Sequence, residues 1–175
     1  MNLNIAFNHP DFSDDLIAES LTDVLDASWT LAMATVQHGM SYINTAHFAY
    51  NEWLELVIFT DPAAEHSRNL AINPSVAVAV WKQPEEWAVN LQGIQMFGQA
   101  VYASGVQLAD AIHTYTSRYF GFSRLITTPA DFEKGITPNR LYVIRPQRIK
   151  LLDETRFGRR NWLDLEPLPS LELWA

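Results

Sequence analysis

The segment FTDPAAEHSRNL, residues 59–70, gathers residue types that could grip an anion. Phe59 and Thr60 close an apolar run, Asp61-Pro62 turns the chain, and a helix bearing His66, Ser67 and Arg68 opens behind it. The first turn of a helix offers unpaired backbone N–H groups and the positive end of its dipole. Thr60 adds a hydroxyl, and Arg68 adds a guanidinium able to hold a phosphate through two bonds. The same residues also describe a plain helix start, with Asp61 as cap, Pro62 at the first helical position and Glu65 in the first turn. Two acids would then already satisfy the positive end, so the residue types alone leave both readings open.

Little else offers chemistry. There is no cysteine, which excludes disulfides and thiolate metal sites. No Gly-x-Ser-x-Gly, Walker-type loop or strand-borne GxGxxG occurs. His9, His38, His47, His66 and His113 are scattered, with no two at i, i+4, so no metal site is expected. Asp14-Asp15 and Glu85-Glu86 fall in a cap and a loop, poor places for a catalytic carboxylate pair. No catalytic residue is nominated. Trp81, Trp87 and Trp162 could stack on a ring, but aromatics at strand ends more often serve core or interface.

The elements that must position these residues follow from periodicity. Ser13-Asp14-Asp15 starts a helix whose Leu16, Ile17, Leu21, Val24 and Leu25 share a face, ending near Ala27-Ser28. Residues 29–36, 41–50 and 53–60 read as strands of a meander, joined at Gln37-His38-Gly39 and Asn51-Glu52. A helix over 63–72 stops at Asn73-Pro74. Val76, Val78 and Val80 then alternate with Ala77, Ala79 and Trp81, a strand buried on both faces. A long strand over 88–104 contains Gly93 and Gly98, marks of a bend or bulge. A helix over 107–119, an irregular stretch over 120–135 and a last strand over 141–152 follow. Pro146 in that strand belongs at an edge or bulge. About six strands and few helices predict a mainly β fold: a six-stranded antiparallel barrel with α-helices.

At 175 residues the chain reads as one domain, 1–175, with an N-terminal helical part at 1–28 and a C-terminal tail at 153–175. Hydrophobic content of 48% and charged content of 18% are those of a globular protein. No apolar run approaches the ~20 residues of a membrane helix, and the N-terminus lacks a basic, apolar leader. A cytoplasmic location is expected. The net charge of −8 argues against nucleic acid or an anionic membrane as partner. No Lys or Arg precedes Arg68, whereas residues 140–160 are rich in Arg. The basic part invites pairing with the acidic one, within one chain or across a dimer, or convergence on an anionic ligand.

The order of segments from Thr30 to Leu163 resembles the pyridoxamine 5'-phosphate oxidase-like, FMN-binding split-barrel superfamily. LAMATVQHGMSYINTAHFAYNEWLELVIFTDPAAEHSRNLAINPSVAVAVW carries most of the likeness, with QGIQMFGQAVYAS and LYVIRPQRIKLLDETRFGRRNWL behind it. The resemblance implies a homodimeric split barrel with FMN in the subunit interface and a small-molecule substrate. FMN would lie against Asn44, Thr45 and Ala46, then Phe59 and Thr60. Its phosphate would sit at the turn and helix carrying His66 and Arg68, near a polar residue at Gln92. Arg156 and Arg159 would approach from the other subunit. The activity implied is an FMN-dependent oxidoreductase. Members of this type read Ser-Arg where Ala64 and Glu65 stand here. A carboxylate beside a phosphate repels it by about 1 kcal/mol in water. Heme-degrading relatives share the His-x-x-Asn-Leu helix seen at His66–Leu70, making heme the alternative cofactor. A non-enzymatic dimer that has lost its cofactor is the third reading.

Overall fold

His38 and Gly39 both take positive φ, 52° and 75°. This is the two-residue turn that matches the twist of paired strands. It joins β1 (Thr30–Gln37) to β2 (Met40–Tyr50) in continuous register from Gln37↔Met40 to Thr30↔His47. The computed structural model describes residues 3–167. Its other strands are β3 (Leu56–Thr60), β4 (Ser75–Lys82), β5 (Gln92–Tyr102), β6 (Arg140–Asp153) and β7 (Trp162–Leu165). They run in the order β3-β2-β1-β4-β5-β6-β7, and β3 also pairs with β6. Six antiparallel strands therefore close into a ring, the split barrel expected from the sequence, and β7 extends β6 beyond the closure.

β6 serves two neighbours on one edge. Arg140–Ile144 pairs with β3 and Ile149–Leu152 pairs with β7. Pro146 lies at the changeover, opposite Gly98, where the β5–β6 register slips between Phe97 and Gly98. The proline thus sits at a bulge, where no ladder hydrogen bond is lost.

Inside the ring pack Leu31, Met33, Phe48, Ile58, Ile94 and Met96. Helix α1 (Asp14–Ala27) seals one end with Ile17, Leu21, Val24 and Leu25, all fully buried. Ser13 caps it through the Leu16 N–H at 3.4 Å, and Asp14 and Asp15 occupy its first turn. Arg118, at the end of α3 (Gly105–Arg118), donates to the carbonyls of Leu25 and Ser28 and stacks 4.6 Å over Phe48. Helix α2 (Glu65–Ile72) covers the opposite end. A second apolar cluster lies outside β3 and β6. There Val57, Leu141 and Val143 meet Ile112 and Tyr115 of α3 and Phe132 of α4 (Pro129–Glu133).

Several expectations change. The irregular stretch over 120–135 contains a 3-10 turn at Phe120–Arg124 and α4. The tail from residue 153 contributes α5 (Glu154–Phe157) and β7, and residues 168–175 lie outside the described residues. β3 starts later than expected because Asn51 Oδ1 accepts the N–H groups of Trp53 and Glu55, holding a turn there. β5 likewise starts at Gln92 rather than at residue 88. β4 is buried on one face only: Ala79 and Trp81 point outward and are exposed. The acidic and basic parts do pair within the chain, through Arg156 with Glu19 and Asp23 and through Arg145 with Glu55 at 2.7 Å. Among the described residues no helix is long and apolar enough to cross a membrane.

Candidate functional site

Asp61 does not cap α2. Its carboxylate accepts the Ala63 N–H at 2.8 Å, and its carbonyl accepts from Ala64 N–H and from Ser67 Oγ at 2.7 Å. These bonds fold the turn and delay the helix to Glu65. Ala64 is left at the cap position with no side-chain bond. The first intrahelical bond runs from Arg68 N–H to Ala64 C=O. The N–H groups of Glu65, His66 and Ser67 thus point out of the first turn with no helical acceptor.

His66 is buried and stands at the mouth of the barrel. Its Nε2 lies 2.7 Å from Thr60 Oγ1, and its ring stacks on Tyr42 at 6.5 Å. Burial lowers its pKa, against a smaller opposing pull from Asp61, and so favours the neutral ring. One turn on, Asn69 Nδ2 donates to the buried Thr35 Oγ1 at 3.1 Å. The Oδ1 atoms of Asn69 and Asn44 are buried with no donor. Asn44 pairs with Met33, one same-face step from the Thr35↔Tyr42 pair. Asn44, Thr60, His66 and Asn69 therefore line one polar mouth. Asn69 and Thr35 were not nominated from the sequence. A hydroxyl at the third inward position after Leu31 and Met33 is the signal that could have found Thr35.

The other nominated residues go elsewhere. Arg68 is exposed, and it lies two residues after His66, roughly 200° around the helix. Its Nη1 donates to the Ala63 carbonyl, so it does not meet His66. Thr45 faces out of β2, and Ala46 packs against the core. Phe59 sits outside the barrel, edge-on to Phe122 at 5.1 Å. Gln92 is buried and pairs with Asp153, to which its side chain bonds. Arg156 is held by Asp153 at 2.9 Å, by Glu19 at 2.9 Å and by Asp23 at 2.6 Å. Arg159 is exposed in the turn after α5. Gln92 and Arg156 share a cleft of about 510 Å³ with Lys82 and Asp23.

Within this chain these two groups stay apart. Thr35 lies opposite Val76, which pairs with Gly98, whereas Gln92 pairs with Lys82. Six residues along β5 separate those levels, about 20 Å.

A family model described as pyridoxamine 5'-phosphate oxidase matches residues 17–153. No curated protein matches the chain. Among solved structures, a heme binding protein from Mycobacterium smegmatis superposes with a TM-score of 0.66 at 18% identity, over 85% of this chain. The chain spans 57% of that protein's length. The heme storage protein HutZ of Vibrio cholerae gives 0.58 at 17% identity, over 77% of this chain and 92% of its own. A FAD-binding protein from Mesorhizobium loti gives 0.56 at 17%, over 75% and 91%. At such identity the likeness is one of fold.

Proposed function

The chain belongs to the pyridoxamine 5'-phosphate oxidase family, and from that premise we propose that it is a homodimeric flavoprotein, an FMN-dependent oxidoreductase acting on a small molecule. The observation that carries the reading is the open first turn of α2 beside the mouth residues. Three free N–H groups suit a phosphate. The Asn44 Oδ1, buried without a donor, suits a ribityl hydroxyl, which can donate where a heme propionate only accepts. Bound FMN would supply hydride or electron transfer at its ring. The chain's own part is to bind it, orient it and limit water at the mouth.

The dimer has its own support. Ala32, Ala34, Ala77 and Ala79 face outward in adjacent register on β1 and β4. Around this flat strip stand exposed Val36, Ile43, Trp81 and Phe97. A symmetric pairing with the strands of the two faces opposed would bring one subunit's α2 toward the partner's Gln92 end, completing a site that one protomer leaves divided. Sedimentation should give a dimer at micromolar concentration. Ala77→Arg, placing two unpaired guanidinium groups in the contact, should weaken it at least ~100-fold. A wild-type monomer would remove the shared site.

FMN binding is tested by calorimetry and by its thermal shift, since a ligand of the native state must raise stability. Glu65 stands in the first turn of α2, and removing its charge lifts a repulsion of about 1 kcal/mol. Glu65→Gln should therefore tighten FMN about fivefold. An unchanged affinity would place the phosphate elsewhere; no binding by the wild type would leave only the fold.

Heme is the second reading, favoured by His47. Its Nδ1 lies 3.2 Å from the Trp29 carbonyl, a partner that fixes the ring and leaves Nε2 for a metal. A Soret band on adding hemin, absent in His47→Ala, would transfer the assignment to heme.

A further inference from the structure

Helix α2 has a second polar face, turned away from the barrel mouth. Ser67 and Arg68 there border a groove of about 490 Å³ whose far wall is the end of β5 and the start of β6. Val101, Tyr102 and Tyr142 form that wall, and Pro62 lies at one side. Tyr102 and Tyr142 face each other in register and meet edge to face, ring centroids 5.7 Å apart at 90°. Tyr142 is buried, while Tyr102 is 48% exposed and presents its ring to the opening. The groove thus offers aromatic and aliphatic surface with Arg68 at its rim, and Asp61 and Arg140 lie close enough to act in opposite senses on Tyr142. Arg68 has one N–H on the Ala63 carbonyl. The rest of its fork, Nε and Nη2, has no partner among the described residues.

We propose that this groove is a binding site for a planar aromatic carboxylate, its ring against Tyr102 and its carboxylate on Arg68, separate from the cofactor mouth. The groove of about 490 Å³ has room for more than one six-membered ring, so a bicyclic acid serves as the probe. Arg68 supplies the sign of the charge, because a guanidinium pairs a carboxylate through two parallel bonds. The wall supplies affinity through edge and face contacts of the two phenols. Because His66 and Arg68 lie on opposite faces of α2, occupancy here does not require occupancy of the mouth.

The test is calorimetry with 2-naphthoate on the full chain, with the neutral 2-naphthalenemethanol as comparator. Saturable binding of the acid is expected, with the alcohol at least about tenfold weaker. Arg68→Met should bring the acid down to the alcohol's level. Tyr102→Ala should weaken both ligands about fivefold. Arg145→Met, which removes a guanidinium elsewhere on the surface, should leave naphthoate affinity unchanged. Both groove positions are exposed, so the variants should fold, and a thermal scan of each checks this. Absence of saturable binding by the wild type, equal affinity for acid and alcohol, or indifference to both groove substitutions would overturn the proposal. So would displacement of naphthoate by FMN, which would place it in the mouth. Failure of FMN to bind at all would not touch it.

Discussion

Asp153→Ala should lower the free energy of unfolding by about 3–5 kcal/mol, the range for breaking a buried, hydrogen-bonded ion pair by removing one partner. Asp153 is fully buried at the end of β6. Its carboxylate accepts from Ser20 Oγ at 2.8 Å, from Arg156 Nη1 at 2.9 Å, and from the N–H groups of Thr155 and Arg156. It therefore caps α5, anchors α1 through Ser20, and holds the guanidinium that clamps Glu19 and Asp23 on α1. Removal would strand the buried Ser20 hydroxyl and Gln92 amide as well as loosen Arg156. Asp153→Asn keeps the shape and one acceptor and should cost less, about 2 kcal/mol. Burial alone would raise the Asp153 pKa, but the bonds from Ser20, Gln92 and Arg156 outweigh it and hold it below the usual carboxylate range. A depressed carboxylate contributes stability above its unfolded pKa of about 3.9 and loses it as pH falls through the folded value. The gap between wild type and Asp153→Ala, read by urea unfolding, should thus be full at pH 7 and shrink below pH ~4. A loss under 1 kcal/mol at neutral pH would mean that α1 and α5 are held by packing and not by this hub.

Asp153 also marks how far the sequence could be read. Local signals carried the ring: the His38-Gly39 turn, the glycines of β5 and Pro146 each had a physical reason to sit where they do. The alternation of Leu31, Met33 and Thr35 likewise fixes an inward face without further information. What local signals do not carry is long-range choice. Nothing near Arg156 says that its partners are Glu19, Asp23 and Asp153 rather than an anionic ligand. That choice is made by α1 folding beneath the barrel. α5 and β7 have four residues each, too few for a period, and exist because β6 offers them an edge. Ala77 and Ala79 read as buried because alanine fits either environment, and only the uncovered face decides. In the candidate site, the i, i+2 spacing of His66 and Arg68 already places them on opposite sides of a helix. Free N–H groups at the start of α2 were legible, but the delayed start, which assigns them to Glu65, His66 and Ser67, comes from the Asp61 turn and was not. The pairing of Gln92 with Asp153, a contact across β5 and β6, was not legible either.

Gly98→Ala should cost about 3 kcal/mol or more, while Gly93→Ala, five residues earlier in the same strand, should cost about 1 kcal/mol. Both glycines are buried and both were marked by sequence as places where a strand bends. What a methyl group would meet differs. At Gly98 the added carbon would stand 2.0 Å from the Arg145 carbonyl oxygen and 3.0 Å from Pro146 Cα. These are backbone atoms in a paired strand, so relief requires the β5–β6 bulge itself to open. At Gly93 it would stand 2.0 Å from the Trp81 ring. That ring is 44% exposed and can swing off the sheet by changing rotamer, with part of the cost returned by the stiffer unfolded chain. The two variants should also differ in what they disturb. Gly93→Ala should shift Trp81 fluorescence while leaving the closure intact. Gly98→Ala should loosen the point where β6 passes from β3 to β7, and with it the Phe97–Arg148 row beside the alanine strip. If the proposed dimer forms across that strip, its affinity should therefore fall with Gly98→Ala under conditions where the chain is still folded. Urea unfolding of both variants decides the order. If Gly93→Ala proved the costlier, the barrel would owe its closure to the tryptophan cover and not to the close approach of β5 and β6 at the bulge.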